Sequence, residues 1–376
     1  PILNFGRDAG NVDVADAQLR QALIGYRQAI QNAMFDVQQA GYSLNAVDIC
    51  PVGALTSKDF RFKCRAWYLK SSKSICPFCS TGCNTIIQHK DEVIYRILPE
   101  RNDDINGPFM CDHGRLSKNI VHSKDRIFEP VINTRNAEKK EKVAYEKAFA
   151  ETASKLSAIV RKYGTASIGV ILSPYLSIEE AYLSARLFTE CINTPNFSVL
   201  NYEGGFDEFK FHDNYLISKD KSPNMAGVLE VLKKMGKSPV SFDTVEKISA
   251  AGRLNAIVFI GPSAGCDEFF ETHRDMFAKC NSIISITTHE RGIALSSDVL
   301  IPLLMWAETS GHFLNSKNIL QKYNQAVSPE NPNAMSNVEM LCALTSACGL
   351  KTHYSSANSV FYHIVSRLEI FNKGDK

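Results

Sequence analysis

Apolar residues recur at helical spacing through residues 13–40, which predicts one long helix with Asp13 or Asp16 as N-cap and Gly41 as its stop. From Cys50 to about Arg65 that periodicity ends, and Pro51 and Gly53 mark a turn-rich stretch. Residues 71–115 carry only short β-type runs, TIIQ and EVIYRIL, set between cysteine-containing turns. So small a segment buries little apolar surface, and a metal centre is a reasonable core for it. Beyond about residue 130 the pattern changes. Residues 142–164 have the stripe of an amphipathic helix closed by Gly164. SIGVILS (167–173), NAIVFIG (255–261) and NSIISIT (281–287) read as buried strands. A helix from Ile178 to about Cys191 follows the first, and a helical stretch separates the other two. Strand and helix in alternation imply a parallel sheet covered on both faces. Residues 133–142 and 329–337 read as surface loops or linkers, and no internal repeat is visible.

Composition narrows the class. A chain of 376 residues suggests two or three domains. Its 42 basic against 40 acidic residues leave a net charge of +2, too balanced for nucleic acid or an anionic membrane surface. No apolar stretch approaches the roughly 18–20 residues of a membrane span, and the first residues show no basic n-region followed by an apolar h-region. A cytoplasmic protein is expected, meeting a membrane only through partners. Because residue 1 is Pro, a processed or partial chain is also expected.

Eleven cysteines in such a chain point to metal or redox chemistry before disulfides. Cys191, Cys266, Cys280, Cys342 and Cys348 are scattered among apolar neighbours and read as small buried hydrophobes. Cys64 has no ligand spacing and reads as a packed thiol. The informative group is SICPFCSTGCN, in which Cys76, Cys79 and Cys83 are spaced C-x2-C-x3-C, with Cys111 following after 27 residues. Three thiolates on a tight turn suit three corners of a [4Fe–4S] cubane, the fourth arriving from a distant segment. Structural zinc is the alternative, although zinc ribbons favour two C-x2-C knuckles. Cys50, in DICPVGAL, has the Cys-Pro context of the last ligand of a ferredoxin-type cluster. No C-x2-C-x2-C lies upstream of it within this sequence, so either its three partners sit before Pro1 or that cluster has been lost.

These residues carry a resemblance. DICPVGALTSKDFRFKCRAW, SICPFCSTGCN and CDHGRL resemble the family of large iron–sulfur subunits of respiratory complex I, the NADH:quinone oxidoreductases. NFGRDAGN is similar to a stretch between the third and fourth ligands of that family's ferredoxin-type cluster. The rest resembles the wider molybdopterin oxidoreductase family, through SPYLSIEEAYLSARLF (173–188) and through Ala307, Glu308, Gly311, Phe313 and Asn315 in the stretch 296–327.

The resemblance implies an α/β chain in three parts. Residues 1–70 would end a ferredoxin-type cluster domain, 71–130 would form a small β domain holding the [4Fe–4S] cluster, and 131–376 would be a degenerate, doubly wound parallel-sheet region. It further implies electron transfer from NADH, ferredoxin or flavodoxin toward quinone. The partners implied are flavin and iron–sulfur subunits of the peripheral arm, on the cytoplasmic side of the inner membrane. Molybdenum and tungsten relatives carry Lys two residues after the last cluster cysteine, where this chain has His113, and residues 201–214 offer no cysteine for a catalytic metal. No molybdopterin and no independent catalytic site are therefore expected.

Three features carry less. GPSAGCDE (261–268) reads as a plain strand-to-helix turn, being neither G-x-G-x-x-G nor a P-loop. His289-Glu290-Arg291 reads as a solvated loop. His212, near Asp207 and Asp213, has no triad order. The competing functions are a subunit of a molybdenum or tungsten formate dehydrogenase or an NAD-linked hydrogenase, and a zinc-bearing assembly module.

Overall fold

A computed structural model describes residues 5–39, 41–134, 139–201, 211–213, 215–263 and 267–368. The chain divides into two compact units, one of residues 1–61 with 111–113, the other of residues 62–110 with 114–376.

In the first unit, α1 (Phe5–Gln39) is followed by α2 (Ser43–Ile49). The long helix expected from the periodicity is present but starts earlier, so neither Asp13 nor Asp16 caps it. Asp16 instead pairs with Arg20 one turn on, at 2.7 Å. Gly41 follows at φ +71°, a conformation suited to glycine.

The second unit begins with a three-stranded antiparallel sheet: β1 (Lys70–Ile75), β2 (Asn84–Lys90) and β3 (Val93–Pro99). Helix α3 (Asp112–Leu116), whose first two residues belong to the first unit, comes next along the chain, then β4 (Val131–Thr134) and β5 (Lys139–Lys142). The sheet-and-helix region continues through α4 (Tyr145–Tyr163), β6 (Ile168–Leu172), α5 (Ile178–Arg186) and β7 (Asn196–Val199). After it come α6 (Met225–Lys234), α7 (Phe242–Ala250), β8 (Ala256–Ile260), α8 (Asp267–Thr272), α9 (Arg274–Ala278), β9 (Ser282–Thr287) and β10 (Val299–Pro302). A hairpin of β11 (Gly311–Leu314) and β12 (Leu320–Tyr323) precedes α10 (Asn337–Ala347) and α11 (Ala357–Leu368).

The large sheet has the order β5-β4-β10-β9-β8-β6-β7, parallel from β10 to β7. Side chains alternate along each strand and supply two cores. Val170, Leu172, Val258, Ile260, Ile284 and Ile286 pack with α4, α5, α6, α10 and α11. Ile171, Ile257, Phe259 and Ile283 pack with α7, α8 and α9 on the opposite face. Both faces are therefore covered, as the apolar runs require, and the architecture is the doubly wound one expected.

Within the segment expected as a loop, residues 133–134 and 139–142 lie in the paired strands β4 and β5, because β4 pairs antiparallel with β10 and gives the polar segment a ladder to join. β5 closes the sheet as a lysine-rich edge, with Lys142 paired to Glu129 at 2.7 Å, a composition that discourages further strand pairing. The helix beginning at Ile178 ends in a π turn, Leu187–Cys191. Among the described residues no helix is long and apolar enough to cross a membrane.

Candidate metal centre

Cys76, Cys79 and Cys83 share the turn between β1 and β2, where the Cys76 N–H donates to the Cys83 carbonyl at 2.8 Å. Within the turn the Gly82 N–H donates to the Cys79 carbonyl at 3.3 Å, with Gly82 at φ +66°. All three thiols are reduced and buried, as is Cys111 in the segment that opens α3; their exposures run from 4% to 6%.

The turn is held from outside by the region that follows the sheet. Ser80 makes three hydrogen bonds there: its N–H donates to the Asp220 carbonyl at 3.0 Å, its hydroxyl donates to Ser218 at 2.9 Å, and its carbonyl accepts the Ser316 N–H at 2.8 Å. The Thr81 hydroxyl donates to the Leu216 carbonyl at 2.7 Å. Phe78 meets Trp306 edge-on at 5.6 Å between ring centres. Gln321 Nε2 donates to both the Gly82 carbonyl and Asn84 Oδ1.

The motif in 307–315 acts in this same framework. Glu308 forms a buried ion pair with Arg126 at 2.6 Å. Asn315 donates to the Thr81 carbonyl at 3.3 Å while its Oδ1 accepts the Lys317 and Ile319 N–H groups. Phe313 packs on Tyr323, and Gly311 leaves no room for a side chain, since an added Cβ would lie 2.7 Å from the Tyr323 hydroxyl.

Several positioning residues carry no motif signal. Buried Asn106 donates to the carbonyls of Glu100, Gly107 and Phe109 and accepts the Asn84 N–H, so it shapes the loop that follows β3. Lys221, fully buried, donates to the Phe211 and Ser218 carbonyls and so secures the segment that holds Ser80 and Thr81. Sequence reasoning singles out neither, because each acts through backbone groups without a motif of its own.

Cys50 stands at the C-terminal end of α2. Backbone N–H groups of the following turn, Leu55 foremost and then Val52, Ala54 and Gly53, favour the thiolate and hold its pKa below the ordinary thiol value. Cys64 is half-buried with its thiol directed to the Arg65 carbonyl, while Cys280 and Cys342 are buried. Burial pushes Cys348 up to about 12, in keeping with an inert packed thiol. Cys266 and Asp207 lie outside the described residues, as does most of 201–214.

His289 corrects the reading of its loop as solvated. It is fully buried, Nε2 donating to the Ile120 carbonyl at 3.0 Å and Nδ1 accepting from the Thr288 hydroxyl at 2.7 Å. Burial lowers its pKa to about 4.

Among the described residues no three His, Cys, Asp or Glu side chains are grouped as ligands of one metal ion. A cubane does not require that grouping, since each thiolate takes a different iron. Buried, reduced thiols on a turn held open by a positive-φ glycine fit such a cluster in donor chemistry.

The family model for the molybdopterin oxidoreductase Fe4S4 domain matches residues 69–123, a span that includes Cys76, Cys79, Cys83 and Cys111 but not Cys50. The chain is 25% identical over 287 residues to the G subunit of the NADH-quinone oxidoreductase of Streptomyces coelicolor, covering 76% of this chain and 32% of that protein. It is 31% identical over 152 residues to the alpha subunit of the NADPH-Fe(3+) oxidoreductase of Geobacter sulfurreducens, covering 40% and 17%. The chain thus spans about a third or less of these curated relatives. In fold it is similar to acetylene hydratase from Pelobacter acetylenicus, with a TM-score of 0.58 at 12% identity, over 79% of this chain and 72% of that one. The Fe4S4 domain match over the cysteine turn and these sequence relatives support a chain similar to the G subunit of NADH-quinone oxidoreductase.

Proposed function

We propose that the chain is an iron–sulfur electron-transfer subunit whose [4Fe–4S] cluster is ligated by Cys76, Cys79, Cys83 and Cys111. The observation that carries this reading is the buried, disulfide-free C-x2-C-x3-C turn inside a matched Fe4S4 domain. When bound, the cluster supplies a one-electron couple. The chain's own residues bury the sulfurs, fix the turn through Gly82, Asn315 and Gln321, and exclude water. Cys50 is the fourth ligand of a second [4Fe–4S] cluster, and the N–H groups of residues 52–55 support it as a thiolate.

The protein works in the peripheral arm of a complex I-type assembly, relaying electrons from NADH, ferredoxin or flavodoxin toward quinone. It does so beside flavin and iron–sulfur partner subunits on the cytoplasmic face of the membrane. Its three parts are 1–70 for the Cys50 cluster, 71–130 for the cluster of the C-x2-C-x3-C turn, and 131–376 as a pterin-free scaffold.

Anaerobically purified protein tests the assignment. About four irons and four sulfides per chain from this site, falling in Cys79→Ser, are expected. Stoichiometric zinc without iron would overturn it.

A further inference from the structure

Asp112, the residue after Cys111, belongs with α2. Its Oδ2 accepts the Ser43 N–H at 2.7 Å and the Ser43 hydroxyl at 2.5 Å, and its Oδ1 accepts the Leu44 N–H at 3.0 Å. Its own N–H donates to the Gly41 carbonyl at 2.6 Å. These contacts join positions 68 and 69 residues apart, so they are not by-products of local chain geometry. The N-cap position of α2 is Tyr42, which supplies no side-chain capping hydrogen bond, and the first N–H groups of a helix need an acceptor. Asp112 is that acceptor.

The far end of α2 is the Cys50 turn. The helix has seven residues, about 10 Å of rise, and Ile49 leads directly into Cys50. One short rigid element therefore runs from the neighbour of Cys111 to Cys50, and the Asp112 carboxylate fastens its first turn at both Ser43 and Leu44.

We infer that Asp112 couples the two cysteine sites: it fastens α2, and with it the Cys50 turn, to the chain at Cys111. The inference rests on the reading of Cys111 as a cluster ligand. Iron bound at Cys111 then orders α2 and residues 50–55, and by linkage an ordered α2 favours iron at Cys111. Asp112 is a positioning residue and touches no iron itself.

Hydrogen exchange of the full chain, followed by mass spectrometry over residues 41–55, tests this. Removing iron with a chelator should speed exchange in that stretch roughly tenfold or more, the scale of losing hydrogen bonds to a charged group. Asp112→Ala should do the same with iron still bound, and removing iron from it should add little. Asp112→Asn, which keeps a neutral acceptor, should fall between and covers the case in which Asp112→Ala fails to fold. Peptides from α4 should be unchanged throughout. Unchanged exchange over 41–55 on iron removal, or effects of iron removal and Asp112→Ala that simply add, would overturn the coupling. A wild-type protein without iron would refute the cluster reading and the coupling with it. Asp112→Ala against wild type would then report only whether the carboxylate fastens α2.

Discussion

Gln321 Nε2 donates to the carbonyl oxygen of Gly82 at 2.7 Å, a contact spanning 239 positions of sequence. Its Oε1 lies where a side chain on Gly82 would begin, 2.6 Å from the position of an added Cβ. The backbone at Gly82 is also left-handed, at φ +66°. Conformation and space thus both demand glycine in the middle of the cysteine turn.

Gly82→Ala is accordingly expected to lower stability by about 1–3 kcal/mol, from the left-handed backbone and the encroachment together. It should also reduce iron per chain. Combining Gly82→Ala with Gln321→Ala relieves the steric part, so the double variant should lose less than the sum of the two single losses. Urea titration and iron analysis of the three variants decide this; strict additivity would show that Gln321 does not set the space at Gly82.

Arg126 and Glu308 form an ion pair 2.6 Å apart with side chains 0% and 3% exposed. Arg126 also donates to the Val121 carbonyl, and Glu308 accepts the Met305 N–H. Removing one partner leaves an uncompensated buried charge. Arg126→Met should therefore cost roughly 3–5 kcal/mol, whereas Arg126→Met with Glu308→Gln should cost less than Arg126→Met alone. Chemical denaturation measures both, and a double variant worse than the single one would refute the account.

Much of the fold was legible because it rests on local pattern. The apolar β-branched runs of β6, β8 and β9 read as buried strands and are buried on both faces. The spacing of Cys76, Cys79 and Cys83 led to one turn for the same reason: all three lie within eight residues of sequence. What remained hidden depends on distant partners. Nothing in KKEK marks it as a strand until β4 pairs with β10. His289 looked exposed because its neighbours Glu290 and Arg291 are, yet its ring turns inward to the Ile120 carbonyl. Asp112 and Gln321 were missed because each serves a backbone group far along the chain.

His289 should also make the fold acid-sensitive. Its folded pKa of about 4 lies below the ordinary value of 6.5, so the unfolded chain binds the proton more readily. Stability from the neutral ring is complete above pH 6.5 and is lost as pH falls from there to about 4. The loss is roughly 3 kcal/mol across that window. Urea midpoints of iron-stripped protein should fall between about pH 7.5 and about pH 4.5, and His289→Gln should flatten the fall. An equal slope in wild type and variant would place the sensitivity elsewhere.

Glu179 fastens the α5 helix to β11 through two contacts with His312. One oxygen accepts the His312 N–H at 3.0 Å, and the other lies 2.5 Å from His312 Nδ1. The carboxylate is fully buried, and the His312 ring stacks on Phe361 of α11 at 3.9 Å. A buried acceptor serving a backbone donor should be replaceable by an amide more cheaply than by nothing. Glu179→Gln keeps an oxygen for the His312 N–H and should cost about 1 kcal/mol, near the value of one neutral hydrogen bond. Glu179→Ala strands both the N–H and the ring nitrogen in a closed site, and with the cavity it leaves should cost about 3 kcal/mol or more. Because His312 sits beside Phe313 and Asn315, the alanine variant should also loosen the β11–β12 hairpin that carries Gln321 to the cysteine turn. Hydrogen exchange over residues 311–323 reads that effect, and equal destabilisation by Gln and Ala would mean that charge, not the hydrogen bond, is what the site requires.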